Sequence, residues 1–162
     1  MKYRVTTKET APQPIVSIRE HHPMDDFPAY VGRAFGSLFG YLATYGIEPA
    51  GMPMVIYYEF GPDGVDAEVC LPTAIELLPS GEFQSRVLPA ATVARTLHVG
   101  PYDKLEKAHS AIMAWIPKHE FEVAGPILER YLNSPDEVLP AAYRTEIEVP
   151  IVPVAVAVAV LV

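Results

Sequence analysis

The sequence predicts an α+β protein that is built from two copies of one strand–helix–strand–strand unit. Residues 50–72 contain Ala-Gly-Met-Pro, an apolar β-like run and a second run that ends in proline; residues 124–150 repeat this order. A helix-like stretch, with a short alternating run before it, precedes each copy. Because one such unit cannot bury its own apolar face, two half-repeats, about 15–72 and 92–150, should pack around a pseudo-twofold axis. We expect an antiparallel sheet with the helices on one side and a central ligand cleft at the seam.

The first half-repeat begins with an alternating strand at residues 15–19. Apolar residues then recur at spacings of three and four from Phe27 to Tyr45, which predicts a helix with one apolar stripe. Pro28 suits its first turn, and Gly46 suits its end. The segment Gly-Pro-Asp-Gly at residues 61–64, between two β-like runs, predicts a hairpin turn.

The second half-repeat follows a join that contains a short strand at residues 83–88. Residues 92–98 form its first predicted strand, and Gly100-Pro101 opens its helix. Pro117 closes that helix, and residues 133–140 form a longer loop between the last two strands. The apolar stripe of this helix consists of Leu105, Ala108, Ile112, Trp115 and Ile116.

Both ends of the chain lie outside the repeat. Residues 1–153 should form a single domain, in which residues 1–13 are a loose leader. Residues 154–162 are an apolar extension of nearly alternating Ala and Val. The extension is either disordered or loosely paired with a sheet edge, or it is a strand exchanged between subunits. Prolines at 150 and 153 interrupt ladder pairing and favour the first alternative.

Composition excludes several classes of function. The chain has 162 residues, 50% hydrophobic, with a formal net charge of −8 and no cluster of Lys or Arg, so we expect no direct nucleic-acid partner. No run is long enough for a membrane span. A single cysteine, Cys70, and no export signal favour the cytosol, and Cys70 itself should be buried filling.

No cofactor is predicted. Five histidines are present, but none pairs with another at helical spacing and no Cys/His/Asp cluster has the rhythm of a metal site. The sequence contains no phosphate-binding loop, dinucleotide fingerprint or nucleophile elbow. We therefore expect neither a metal ion nor an organic cofactor.

Three motifs in fixed order carry a family resemblance. They are His-x-Gly-Pro-Tyr at residues 98–102, Gly-Pro-x-x-Glu-x-Tyr at 125–131 and Thr-Glu-Ile-x-x-Pro at 145–150, with Trp115 between the first two. Together they resemble the GyrI-like small-molecule-binding domains, which also serve as effector-binding domains of AraC-type and multidrug-responsive bacterial regulators. The resemblance covers about residues 15–151 and implies the duplicated fold already predicted from the repeat.

Glu129 is the main candidate site residue. In the family, the glutamate of the matching motif lies in the central cleft and faces cationic ligands, so the resemblance implies that role for Glu129. A carboxylate in an apolar cavity pays a desolvation cost that a lipophilic cation can offset. The alternative is an ordinary outward glutamate that pairs with Arg130 or Arg144.

Aromatic residues are the second group of candidates. Strand alternation prevents Tyr57 and Tyr58 from both facing the cleft, whereas Glu129 and Tyr131, two residues apart, should share a side. Trp115 lies on the apolar helix stripe, and only the resemblance places it at the cleft edge. The full set of expected ligand-binding residues is Glu129, Tyr131, Tyr102, Trp115, Tyr57 and Tyr143.

Two functions fit this site equally well at the level of sequence. The first is a stand-alone binding protein for hydrophobic, often cationic small molecules. The second, implied by hydrolases within the resembled family, is opening of strained cyclopropane rings in genotoxic natural products. Glu129 would then act as general base, with Tyr131 or Tyr102 assisting by hydrogen bonding. A third, weaker alternative is inhibition of a larger enzyme such as gyrase through surface contacts.

Overall fold

The computed structural model describes residues 2–155. Two short 3-10 turns, Tyr102–Lys104 and Pro140–Ala142, accompany the regular elements. Along the described chain these elements are β1 (Thr6–Glu9), β2 (Gln13–His22), α1 (Phe27–Thr44), β3 (Met54–Gly61), β4 (Gly64–Pro72), β5 (Gln84–Leu88), β6 (Thr92–Val99), α2 (Leu105–Lys118), β7 (Phe121–Val123), β8 (Ile127–Tyr131) and β9 (Arg144–Pro153).

The sheet confirms the duplication. Its strands lie in the order β1-β6-β9-β8-β3-β4-β2-β5, with β7 paired to β9, and every described pairing is antiparallel. Read from either edge, this order places equivalent strands of the two halves in equivalent positions. A pseudo-twofold axis therefore passes between β3 and β8, the only strands through which the half-sheets join in the described chain.

The axis passes through the pair formed by Val55 and Glu129, which face each other across β3 and β8. Corresponding glycines mark the same symmetry. A side chain added at Gly51 would lie 3.2 Å from the ring of Pro72, and one added at Gly125 would lie 3.1 Å from the ring of Pro150. This close approach of backbone to proline explains the glycine in each copy. From α1 to β3 in the first half and from α2 to β8 in the second, equivalent residues differ in number by 74, as Gly51 and Gly125 do.

Both helices cover the same face of the sheet. Val55, Glu129 and Ile147 are direct cross-strand neighbours and so project from one face. Val55 belongs to the cluster buried beneath α1, and Ile147 to the cluster beneath α2. Each helix buries residues spaced three or four apart, as its stripe predicts: Tyr30, Ala34, Leu38 and Leu42 in α1, and Leu105, Ala108, Ile112 and Ile116 in α2.

The N-terminal segment is not a loose leader, and that prediction was wrong. Residues Thr6–Glu9 form β1, which pairs with β6 at one edge of the sheet, in the place that β5 takes beside β2 at the other. All four residues are exposed, so the segment lacks the apolar alternation that announces a strand. Its ladder depends on backbone hydrogen bonds to β6. The three-residue strand β7 was also not predicted from the sequence.

Before β1, the chain closes over the second half-repeat. Tyr3 donates a hydrogen bond to Nδ1 of His98 (2.8 Å), whose Nε2 donates to the carbonyl of Pro101 (3.1 Å). The hydroxyl of Thr96 donates to the carbonyl of Arg4 (2.8 Å). The histidine of the His-x-Gly-Pro-Tyr motif is therefore a buried structural link between the N-terminus and the turn that precedes α2.

Two further sequence predictions concern the C-terminal extension and membrane spans. The Ala/Val extension lies, from residue 156 onward, outside the described residues, so both alternatives given for it stay predictions. Within residues 2–155, neither helix is both long and apolar enough to cross a membrane.

Deleting residues 1–5 should lower the free energy of unfolding by about 1–3 kcal/mol. The deletion leaves the hydroxyl of Thr96 and Nδ1 of His98, both on buried residues, without their partners. Urea denaturation measures the loss. Deleting residues 156–162 serves as the comparison, because the repeat is complete before them and stability should not change. Equal stability of the two truncated proteins would show that the N-terminal contacts contribute nothing.

Candidate functional site

A cavity of about 1560 Å³ lies at the seam, between the two helices and the central strands of the sheet. Its walls come from α1, from the segment before β3, from α2 with the turn before it, and from the loop after β8. The sheet forms its floor through Tyr57, Ile127, Glu129 and Tyr131. Duplication thus produces a cleft at the axis, where the apolar faces of the half-repeats meet.

Glu129 lies on the floor of this cavity and is 4% exposed. Three side chains hydrogen-bond to its carboxylate. Tyr57 and Tyr131 donate their hydroxyls to Oε1, at 2.6 and 2.9 Å, and Nε2 of His109 lies 2.7 Å from Oε2. An ionised carboxylate only accepts hydrogen bonds, so Nε2 carries a proton in this arrangement. These three donors offset part of the desolvation cost of the buried charge.

The two donating tyrosines are counterparts under the pseudo-twofold, since their numbers differ by the offset of 74 residues. Burial is the main cause that raises the pKa of each hydroxyl well above 10, and the nearby Glu129 carboxylate adds to it. Both tyrosines therefore stay protonated, and act as donors, throughout the neutral range.

Aromatic rings form the walls above the carboxylate. Phe27 of α1 packs against Tyr57 with ring centroids 5.9 Å apart, and Phe35 meets Tyr131 edge-on at 6.1 Å. Tyr102, in the turn before α2, also meets Tyr131 edge-on, at 5.7 Å. Flat apolar faces thus surround one negative charge, which is the composition of a site for a bulky organic group with a positive charge.

The charged residues that line the cavity are acidic. Besides Glu129, four carboxylates line it nearer the solvent: Asp103, Glu106, Asp136 and Glu137. Within residues 2–155, no Lys or Arg contributes to this lining. His109 is therefore the sole basic side chain among the lining residues of the described chain.

The structure brings four of the six predicted ligand residues together, namely Glu129, Tyr131, Tyr57 and Tyr102. As strand alternation predicted, Tyr57 points to Glu129, whereas Tyr58 points to the opposite face and donates to Glu68 (2.6 Å). Glu129 and Tyr131 share a side, as expected. Cys70 is fully buried, which confirms its role as filling.

Trp115 and Tyr143 lie outside the cavity lining. Trp115 is on the flank of α2 that faces β7, where it stacks on Phe121 (6.0 Å) and His119 (4.0 Å). It stands six residues, or about 1.7 turns, beyond His109, on a different side of the helix. Tyr143 stacks on Tyr102 at 4.5 Å and so supports a cavity residue from behind.

Sequence reasoning missed His109, because it considered histidines only as metal ligands. It also missed the phenylalanines of α1 and the contribution of the loop after β8. A signal for His109 was present in the repeat: the offset of 74 residues makes it the counterpart of Phe35, which lies on the cleft-facing side of α1. A titratable residue in one half-repeat, at the position equivalent to an apolar residue in the other, marks a place where the symmetry is broken.

The alternative role for Glu129, an outward ion pair with Arg130 or Arg144, does not match its place in the fold. Arg130 projects from the other face of β8, where its guanidinium donates to Glu146 (2.7 Å) and to Glu148. Glu129 itself is buried beneath the helices and bonded to two tyrosines and a histidine. The carboxylate therefore belongs to the cavity.

The chain belongs to the GyrI-like family. It matches the GyrI-like small molecule binding domain over residues 1–152, almost its whole length. No curated protein matches the chain at a significant level. The family assignment agrees with the duplicated sheet and with the cavity at its axis.

Solved structures share the fold. The C-terminal domain of EcmrR superimposes with a TM-score of 0.85 at 22% identity, covering 95% of this chain and 100% of that domain. EcmrR in complex with DNA gives the same TM-score at 23% identity over 94% of this chain, which spans 58% of that protein. SAV2435 bound to tetraphenylphosphonium gives 0.64 at 16% identity (93% and 94% covered). A hydrolase from Listeria innocua, encoded by lin2189, gives 0.68 at 9% (93% of each).

The buried tyrosines should make stability fall as pH rises above about 10. Their pKa values are raised in the folded protein, so the stability they contribute is present below the unfolded pKa and is lost above it. Comparing urea denaturation at pH 8 and 11, Tyr57→Phe and Tyr131→Phe should each reduce this loss by about 1 kcal/mol.

Tyr45→Phe is the matched control, because the ring of Tyr45 is 63% exposed. That variant should lose as much stability between the two pH values as the unchanged protein. A loss that is equally large in all three variants would mean that the tyrosine hydroxyls that donate to Glu129 are open to solvent.

Proposed function

We propose that the protein binds hydrophobic organic cations in the cavity at its axis, and that Glu129 recognises their charge. The observation that carries the proposal is a buried carboxylate, 4% exposed, surrounded by aromatic rings in a cavity large enough for a bulky ligand. Ligand sites of this kind are mostly apolar, with few polar groups that fix orientation and specificity.

The charge distribution supports a cation rather than an anion or a neutral molecule. A ligand anion would meet Glu129 and the four outer carboxylates without an arginine or lysine from the described lining to pair with. A cation gains attraction from Glu129, and its attraction to the faces of the surrounding rings adds to this. The formal net charge of −8 also concentrates cations near the surface.

Two relatives of the same fold support this class of ligand and suggest its use. SAV2435 was solved with tetraphenylphosphonium, an apolar organic cation, and EcmrR was solved in complex with DNA. We propose that this chain senses or sequesters such compounds, as an effector-binding unit does. The single buried cysteine fits a reducing compartment, and we propose the cytosol as its location.

The hydrolase alternative is less well supported by the geometry. A general base must take a proton from a bound water, but three donors already occupy the carboxylate of Glu129. An ionised carboxylate offers about four lone-pair positions, so water has a single position left. The similarity to the hydrolase encoded by lin2189, at 9% identity, shows a shared fold alone. We therefore place binding before hydrolysis.

Tetraphenylphosphonium should bind with a dissociation constant on the micromolar scale, measured by isothermal titration calorimetry. Glu129→Gln keeps the shape of the side chain and removes its charge. This change should weaken binding of the cation by roughly 1–3 kcal/mol, whereas binding of neutral triphenylphosphine oxide should change little.

The matched control is Glu122→Gln in β7, which removes one exposed negative charge away from the cavity. It should leave both ligands unaffected, and so separate a local effect from a change of net charge. Equal weakening of the cation and the neutral ligand in Glu129→Gln would assign Glu129 a role in shape only. Consumption of a strained electrophile by the unchanged protein, but not by Glu129→Gln, would favour the hydrolase instead.

A further inference from the structure

We infer that His109 is the built-in counter-cation of Glu129 and sets the charge selectivity of the cavity, so that a cationic ligand competes with a proton on its imidazole. This inference rests on the proposed function and specifies how the same site is regulated. His109 is a specificity-determining residue here, because it acts on the ligand through the carboxylate that both contact.

The pseudo-twofold symmetry of the site is broken at His109. Phe35 and Tyr131 meet edge-on at 6.1 Å and 89°, and their counterparts His109 and Tyr57 meet edge-on at 6.4 Å and 85°. The scaffold thus places positions 35 and 109 in equivalent environments. What differs is the partner at the axis, since Glu129 is the counterpart of Val55.

In the first half-repeat, the apolar Phe35 accompanies the apolar Val55. In the second, the imidazole of His109 accompanies the carboxylate of Glu129. The two changes coincide at facing positions, where Nε2 of His109 lies 2.7 Å from Oε2 of Glu129. A histidine that only filled space would not need this partner. Phe35 shows that the fold accepts an aromatic hydrocarbon at the equivalent place.

The groups that face His109 from the neighbouring elements are mostly acidic or aromatic. From β8 it meets the Glu129 carboxylate, and from β3 the ring of Tyr57. Four acidic residues line the same cavity: Asp103 and Glu106 around the start of α2, and Asp136 and Glu137 in the loop after β8. No Lys or Arg of the described chain lines it, so a protonated His109 would be the single cationic group of the lining.

The imidazole is placed so that it can gain and lose its second proton. Its side chain is 26% exposed, compared with 5% for that of Glu129. Nε2 is held by the carboxylate, whereas Nδ1 makes no hydrogen bond within residues 2–155. Protonation at Nδ1 therefore changes the charge of the pair without breaking its contact.

Charge selectivity follows from these two states. With a protonated His109, the pair has no net charge and a ligand cation meets a neutralised site. With a neutral His109, the pair has a charge of −1 and attracts the cation. By linkage, binding of a cation releases the proton from Nδ1 to the buffer, and cation affinity rises by up to about tenfold per pH unit while His109 titrates.

The experiment is a calorimetric titration with tetraphenylphosphonium at pH 5.5, 6.5, 7.5 and 8.5, in two buffers of different ionisation enthalpy. The unchanged protein should bind the cation at least about tenfold more tightly at pH 7.5 than at pH 5.5. Binding should release a proton to the buffer at the pH values at which His109 of the free protein is protonated. His109→Gln and His109→Phe should bind it with much smaller pH dependence and release no proton. Neutral triphenylphosphine oxide should bind equally at all pH values.

His119→Gln is the matched control, because His119 is exposed at the end of the same helix and does not line the cavity. It should keep the full pH dependence. The unchanged protein also allows a second measurement, independent of any variant: at pH 6, added tetraphenylphosphonium should move the His109 ring resonances in its NMR spectrum toward their deprotonated positions.

The outcomes separate the inference from the function on which it rests. Cation binding whose pH dependence persists in both His109 variants, or resonances of His109 that do not respond to the ligand, overturns the inference and leaves the proposed function intact. Absence of binding by the unchanged protein at every pH overturns both.

Discussion

The site depends on keeping one carboxylate ionised beneath two helices. Removing a charge from water without partners costs more free energy than a small domain can spare, so Glu129 requires donors from its surroundings. The fold supplies them from three elements: Tyr57 from β3, Tyr131 from β8 and His109 from α2. Because β3 and α2 belong to different half-repeats, this single charge also links the halves across the seam.

Duplication alone does not produce this site. Residues 55 and 129 face each other at the axis, and directly opposed like charges on neighbouring strands destabilise a sheet. Two glutamates there would share one small space, and one of them would have to bind a proton. Valine at position 55 avoids that conflict, while the symmetric pair Tyr57 and Tyr131 still converges on the remaining carboxylate. The candidate site therefore combines a symmetric scaffold with an asymmetric centre.

The opposite face of the sheet shows where the arginines of the central strands reside. Glu68 accepts hydrogen bonds from Arg86, Ser17 and Tyr58, and Arg130 bridges Glu146 and Glu148. Burial raises the pKa of Glu148 against the opposing influence of Arg130. Strand alternation thus sorts the charges of the central strands by face: the arginines and their carboxylates lie on one side, and Glu129 lies on the cavity side, where His109 is the sole basic residue of the described lining.

The sequence by itself determined the duplication, both helices, the hairpin and the side on which Glu129 and Tyr131 lie, because these follow from local periodicity and strand alternation. It could not reveal β1, whose four exposed residues carry no pattern and gain their structure from the backbone of β6. It also could not pair His109 with Glu129. Their contact spans 20 residues and depends on how α2 crosses the seam. Trp115, apolar and on the same helix, turned to β7 for the same reason: which side of a helix faces the cleft is decided by packing.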